Sequence, residues 1–556
     1  MNRNTILAFI IIGIIIVLMG PYQEWLAGPE ADKPIPEQIP VESDSIPETT
    51  AGASTEIHPT VVSPIKAQVP IPTPTNVVDQ GPVKKITINT DLYTAVFSTK
   101  GASLVSLVLK KYVKGSGEEI DLVGLAPEGT LRLKNDEGYL YSEVANYAVD
   151  RENLELSVGN SEGQIVFKWT GPSGQYVEKK YNFTNSRYSF STSVSINGAA
   201  SLGCTKGYYL CWDSPMPITE LSADEDNNYM TGYSMFGDEI LDFDDVDEKD
   251  GLVEQKSGMT DWVASRSKYF ATAIIPKSKK GAGFYIHGKV NNEIHNGKNV
   301  ERKFITTGLK MVPDGSDSIS DNFIVYTGPI DYYILKSYEV GLDGLVSMGW
   351  QIIQPFSIAV LWVFTQLHKF IPNYGFVIIV FSILIKVIFF PLSRKSTTSM
   401  AKMQEVQPKL KEMQEKYKND RNKLNQETMK LYKEHGVNPL GGCLPLVFQM
   451  PVFYALFTVF RSTIELRGAA FIFWIKDLSL MDPYYILPVI MGITMFIQQK
   501  MTMKDPKQKM LVYIMPAFFI FIFYSMPAGL VLYWTMYNIL SFLEQMYVKS
   551  KTSPSV

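Results

Sequence analysis

The chain has 556 residues, 46% of them hydrophobic, a formal net charge of −4 and three cysteines. That balance gives no general attraction to nucleic acid, and three cysteines are too few for a disulfide framework. The averages hide two unlike halves, polar before about residue 345 and strongly apolar after it.

Ile6 to Met19 is an unbroken apolar run behind a head carrying Arg3, the layout of a signal sequence. The residues that follow, Gly20-Pro21-Tyr22-Gln23-Glu24-Trp25, hold no A-x-A-like cleavage site, so residues 1–28 read as an uncleaved signal anchor with a cytoplasmic amino terminus. Residues 29–82 are rich in Pro, Thr, Ser, Val and Glu without periodicity. They read as a disordered tether reaching roughly 40 Å or more.

Residues 83–335 change to short alternating runs such as Lys85-Ile86-Thr87-Ile88-Asn89 and Gln164-Ile165-Val166-Phe167-Lys168-Trp169. Period-two alternation with β-branched and aromatic residues predicts an all-β domain, most naturally a two-sheet sandwich. Cys204 and Cys211 are close enough in sequence to bridge if this half lies in an oxidising space, and free thiols are the alternative. The acidic tract Asp238 to Asp250 lacks the glycine and spacing of a calcium loop and reads as an exposed loop.

Within residues 336–372, Trp350 to Ile371 is long enough to span a membrane, but Gln351, Gln354, Pro355, Ser357, Gln366, His368 and Lys369 interrupt it. It reads as an amphipathic helix lying in the interface. Residues 373–393 hold the strongest span, Tyr374 to Leu392, which is apolar except for Ser382 and Lys386. Lys386 either snorkels to the headgroups or faces a polar cavity, and the stretch alone leaves both readings open.

Residues 394–442 are dense in Lys and Arg. Met403, Val406, Leu410, Met413 and Tyr417 form one helical stripe, and Leu424, Thr428, Leu431 and His435 a second, so a two-helix cytoplasmic hairpin is expected, kinked or restarted at Pro408. It is either a solvated connector or an adaptable docking surface. Residues 443–548 hold four more apolar segments, Leu444 to Phe460, Tyr484 to Gln499, Leu511 to Met526 and Leu530 to Tyr547, and Cys443 reads as a buried thiol. Six spans place every dense basic cluster, and the short tail 549–556, on the cytoplasmic side.

The spans show mild polarity at Ser382, Gln449, Thr458, Thr494, Gln498, Tyr533, Thr535, Tyr537 and Asn538. Singly these read as interhelical hydrogen bonds; with a lysine they would line a wet, positively charged recess. An ion-coupled transporter calls for an acidic relay, and Glu544, in the last turn of the final helix, reads as lying near the headgroups. Lys386 is then expected to be unpaired. Neither a nucleophile-base pair nor a nucleotide motif is present, so catalysis and a cofactor are not expected.

At Asn438-Pro439-Leu440-Gly441-Gly442-Cys443, with Gln449-Met450-Pro451, Ile464-Glu465-Leu466-Arg467 and Gly529-Leu530-Val531-Leu532-Tyr533-Trp534, the sequence resembles the YidC family of membrane protein insertases in its long Gram-negative form. The resemblance implies a polytopic α-helical protein with a five-helix insertase core and a periplasmic β-supersandwich without a required catalytic role. It also implies a hydrophilic groove open to cytoplasm and lipid, with a single basic residue that falls on Lys386, where this form typically carries Arg. The groove set is then Lys386, Ser382, Gln449, Tyr533 and Trp534, and the hairpin set Met403, Leu410, Met413, Tyr417, Leu424 and Leu431.

The implied function is insertion and chaperoning of nascent inner-membrane proteins, alone or with the Sec translocon. Membrane lipids are further partners, ribosome contact is weak given the short tail, and no nucleic-acid specificity follows. A secondary transporter and a membrane-tethered carbohydrate-binding sandwich are the rivals, one arguing from the spans and the other from the β domain.

Overall fold

The computed structural model describes residues 82–157, 161–295, 298–436, 444–502 and 509–552. The expected anchor, nearly all of the tether, the motif residues Asn438, Pro439, Gly441 and Gly442, and Cys443 lie outside them.

Alternation builds the first half. In Tyr176–Thr184 half-buried and buried residues alternate without a break, as one face of a strand turned to a core requires. Five strands form one sheet, in the order Glu119–Asp121, Ser103–Val113, Tyr93–Ser98, Lys85–Asn89 and Asn153–Glu155, antiparallel until the last pair. A second sheet of 14 strands includes Glu162–Thr170, Tyr176–Thr184, Ser189–Asn197 and the long hairpin of Gly281–His295 with Lys298–Met311.

The two sheets meet in an aromatic core. Phe97 of the first packs on Phe167, Tyr181, Phe183 and Phe190 of the second, with ring centroids 4.5 to 6.3 Å apart. Beside it the buried Lys179 ammonium donates to the carbonyls of Gly101 and Leu131 and to Glu143 Oε2, at 2.7, 3.1 and 2.7 Å. All three donors are used, so the buried charge ties its strand to the Gly101 turn of the first sheet and to two connecting segments of its own sheet.

In this half one open choice is decided and one expectation is corrected. Cys204 and Cys211 are free buried thiols. In strand Tyr208–Trp212, Tyr208, Leu210 and Trp212 join the main core with Cys204, whereas Cys211 packs with Tyr209 and Tyr285. Period two therefore turns Cys211 to the face of the strand away from the main core, which Cys204, outside the strand, joins. The tract Asp238 to Asp250 is only partly loop, because Glu239–Phe243 pairs antiparallel with Thr231–Phe236.

The second half is helical. Its helices are α1 Gln354–His368, α2 Tyr374–Lys416, α3 Arg421–Glu434, α4 Leu444–Ser462, α5 Ile486–Thr502, α6 Lys509–Phe523 and α7 Ala528–Thr552. Helix α2 starts where the Asn373 side chain accepts from the Gly375 and Phe376 amides, an N-cap that stabilises by about 1 kcal/mol. It then runs unbroken through Pro391 and Pro408. The expected restart at Pro408 is absent: packing of α3 on the far end of α2, with Val406 and Leu431 at its centre, offsets a proline cost of about 3 kcal/mol.

Among the described residues one helical stretch, Tyr374–Ser399, is long and apolar enough to cross a membrane, and Ile486–Met501 and Val512–Phe523 are apolar but shorter. Helix α7 packs against α2 and α5, α6 lies on α5, and α1 lies across α4 and α2. Ser357, Val360, Leu361 and Phe364 of α1 are buried at helical spacing while Phe356 and Trp362 stay exposed.

The halves share an interface. Arg467, in the α4 to α5 loop, donates to Glu220 Oε1 at 2.8 Å and to the carbonyls of Val113 and Thr219 at 2.7 and 3.3 Å. Its guanidinium also lies over the Tyr269 and Phe270 rings. The buried Arg266 binds the Leu345 carbonyl and Ser347 Oγ in the segment that leads into α1.

Candidate functional site

Lys386 lies near the middle of the apolar stretch of α2, and on that helix Phe389 and Ser393 follow at i+3 and i+7, on one face. On α7 the residues Tyr537, Ser541 and Glu544 stand at i, i+4 and i+7. The contact of α7 with α2 brings these two stripes together.

The result is a closed ion pair. Lys386 Nζ is 2.8 Å from Glu544 Oε2 and donates to Ser541 Oγ at 2.8 Å, with the Tyr537 ring centroid 4.7 Å away. Ser393 Oγ donates to the same Glu544 oxygen at 2.8 Å. Lys386 keeps 9% and Glu544 7% of their accessible surface. Among the described residues, Glu544 Oε1 has no hydrogen-bond partner.

This overturns the expectation of an unpaired lysine. The i, i+4, i+7 face of α7 turns Glu544 inward onto α2, where it meets Lys386 and Ser393. The pocket beside Lys386, lined by Ile385, Phe389, Leu392, Ser393, Gln449 and Tyr537, measures about 10 Å³, room for about one water. A larger recess of about 520 Å³ opens further along α2, where Arg394, Lys395 and Lys402 meet Thr398, Ser399 and Gly436.

The other expected groove residues divide. Gln449 lines the Lys386 pocket and its amide donates to Tyr533 Oη at 2.6 Å, so those two act as a pair. Ser382 is buried and donates to the Ile378 carbonyl of its own helix at 2.7 Å, so its hydroxyl is taken up locally. Trp534 packs among Phe453, Phe519 and Phe523 and does not line the Lys386 pocket. Ser393 and Ser541, which the sequence reading did not single out, hold the ion pair directly.

In the hairpin, Met403, Leu410, Met413 and Tyr432 pack around Val406 and Leu431. The expected stripe is thus used by the two arms on each other. Tyr417 ends α2 with the Lys416 and Lys423 ammoniums each 5.5 Å from its ring, and Leu424 lies half-buried outside the cluster.

Two family models match side by side, "YidC periplasmic domain" over residues 85–359 and "60Kd inner membrane protein" over residues 366–555. The membrane protein insertase YidC of Chlorobaculum parvum is 34% identical across 100% of this chain and 95% of its own length. The chain belongs to the YidC family of membrane protein insertases. Its YidC relative from Chlorobaculum tepidum is 33% identical over 99% of this chain and 95% of that protein. A crystal structure of an active YidC insertase, with its first transmembrane domain resolved, aligns over 85% of this chain and 95% of its own at 18% identity and a TM-score of 0.37.

Against the YidC family models, the first match covers both sheets and the second covers α2 to α7, so the Lys386 site falls wholly in the second. Membership makes this an inner-membrane insertase with a periplasmic β domain.

Proposed function

We propose that this chain moves hydrophobic segments of nascent proteins from the cytoplasm into the inner membrane by offering one buried cation, Lys386, to acidic residues that must cross. The single observation that supports this most is the placement of Lys386 within an apolar helix, held by the Ser541 hydroxyl and the Glu544 carboxylate. A charge at that depth costs at least about 2.5 kcal/mol, so a chain that keeps one has a use for it.

In this reading the amino terminus, hairpin and tail are cytoplasmic, the β domain is periplasmic, and six spans connect them. The basic recess at Arg394, Lys395 and Lys402 then faces the cytoplasm, where an acidic tail first meets positive charge. Lys386 carries that tail part-way, lowering the cost of leaving water, and the hydrophobic effect draws the flanking apolar segment into lipid. Helix α1, with Phe356 and Trp362 exposed, lies in the outer interface. Nascent chains, lipids, the Sec translocon and, weakly, the ribosome are its partners, and a chaperone role follows from holding segments before release.

Reconstitution of the purified full chain in liposomes tests this. Lys386→Ala and Lys386→Glu are expected to slow insertion of a small membrane protein with an acidic translocated tail. Wild-type rates in both would remove Lys386 from the mechanism.

A further inference from the structure

We propose that Glu544 sets the substrate preference of this site: its carboxylate occupies Lys386 as an internal stand-in, and an acidic side chain of the incoming segment displaces it. The proposal rests on the reading of Lys386 as the electrostatic partner of substrate, and adds what that partner does between substrates.

Three observations carry it. The chemistry that Lys386 would offer a substrate carboxylate is already in use, since Glu544 Oε2 and Ser541 Oγ each lie 2.8 Å from its ammonium and Tyr537 covers it at 4.7 Å. The pocket that remains is about 10 Å³, too small for a second carboxylate while Glu544 is in place. Finally, Glu544 is held incompletely: Oε2 accepts from Ser393 and pairs with Lys386, but Oε1, buried with it, has no partner among the described residues. A carboxylate with a free oxygen is easier to exchange than one bound at both.

Exchange is chemically even. An aspartate or glutamate of substrate offers the same group to the same ammonium, and the Ser393 hydroxyl that steadies Glu544 and the Ser541 hydroxyl that steadies Lys386 are there for its replacement. A segment without an acidic residue has nothing to exchange and leaves the pair closed. Glu544 thereby lowers the affinity of the site for every acidic segment while making acidity the condition for entry. If one lysine in ten stands open, removing the competitor raises apparent affinity about tenfold.

The experiment uses the full chain in liposomes and a small single-span protein with either an acidic translocated tail or the same tail with its acids amidated to Asn or Gln. Glu544→Gln is expected to raise the initial insertion rate of the acidic tail severalfold and leave the neutral one near its wild-type rate. Ser393→Ala, which loosens the same oxygen, is expected to shift the ratio of the two rates in the same direction by less. Glu544→Asp is expected to restore a ratio close to wild type.

A fall in both rates by the same factor in Glu544→Gln, or a fall for the acidic tail alone, would overturn the proposal and make the pair a helix staple. If the wild-type chain inserts both tails alike, the reading of Lys386 fails and this proposal with it. If the wild type distinguishes them but Glu544→Gln and Ser393→Ala leave the ratio unmoved, only the proposal about Glu544 fails.

Discussion

Lys386 and Glu544 face each other 2.8 Å apart across the contact of α2 and α7, with side chains 11% and 5% exposed. Opposite charges taken so far out of water are held by each other and by hydroxyls. Their pairing does little for net stability, but removing one member leaves the other buried and uncompensated.

Lys386→Ala should therefore cost about 3 to 5 kcal/mol of stability, read as a lower unfolding temperature in detergent. Replacing both residues, as Lys386→Leu with Glu544→Leu, should return most of that loss while abolishing any preference for acidic tails. Stability that stays low in the double variant would show that the pair has a structural role beyond charge compensation.

Arg467 joins the helical half to the β domain through Glu220 and two carbonyls. Burial pushes the Glu220 carboxyl up, and the Arg467 guanidinium draws it back down. Arg467→Ala strands that carboxylate and should weaken the interface by about 3 kcal/mol, with faster protease cleavage between residues 336 and 350. Arg467→Lys, which keeps the charge but not the planar fork, should fall between. Unchanged cleavage in Arg467→Ala would contradict this.

Glu465, in the same loop, has its carboxyl pushed from an ordinary 4.5 up to about 7, by burial first and then by the Asp331 carboxylate. Asp331 is fixed in place as the cap of a short helix, accepting from the Tyr333 and Ile334 amides. Tyr112, Tyr333 and Tyr374 also feel the Glu465 charge. Because the folded state holds this proton more tightly, the contribution is complete below 4.5 and is lost as pH rises through about 7. Unfolding temperature should fall across that window in the wild type, and Glu465→Gln should flatten the fall. The same slope in both would place the titration elsewhere.

Burial pushes the Cys204 thiol up to about 12 and the Cys211 thiol well above its usual range. Neither should react with iodoacetamide at neutral pH while the β domain is folded, and both should react in denaturant. A peptide pair joining the two in unreduced protein would contradict the structure.

Much of this architecture is local and was legible. Alternation marks Tyr176–Thr184 as a strand, and the apolar run marks α2, because each pattern is set by the element's own burial. Lys386 was legible for the same reason, as a charge where a helix is otherwise apolar. Its partner was not. Glu544 was visible as a residue, but its distance from the helix end suggested headgroups, and only the packing of α7 on α2 decides which way its face turns. Ser382 misled in the opposite sense: a hydroxyl in a helix can satisfy itself on the carbonyl four residues back. The thiols illustrate the same limit, since their nearness in sequence gave no hint that Cys211 lies on the other face of its strand.

The most direct test of the central claim crosses charges between insertase and substrate in a Glu544→Gln background, so that no internal carboxylate opposes a reversed site. With Lys386 present, the acidic tail should insert faster than the same tail carrying lysines. With Lys386→Glu the order should reverse. An order that stays the same in both proteins would contradict the account, because the charge at residue 386 would then not be what the translocating tail reads.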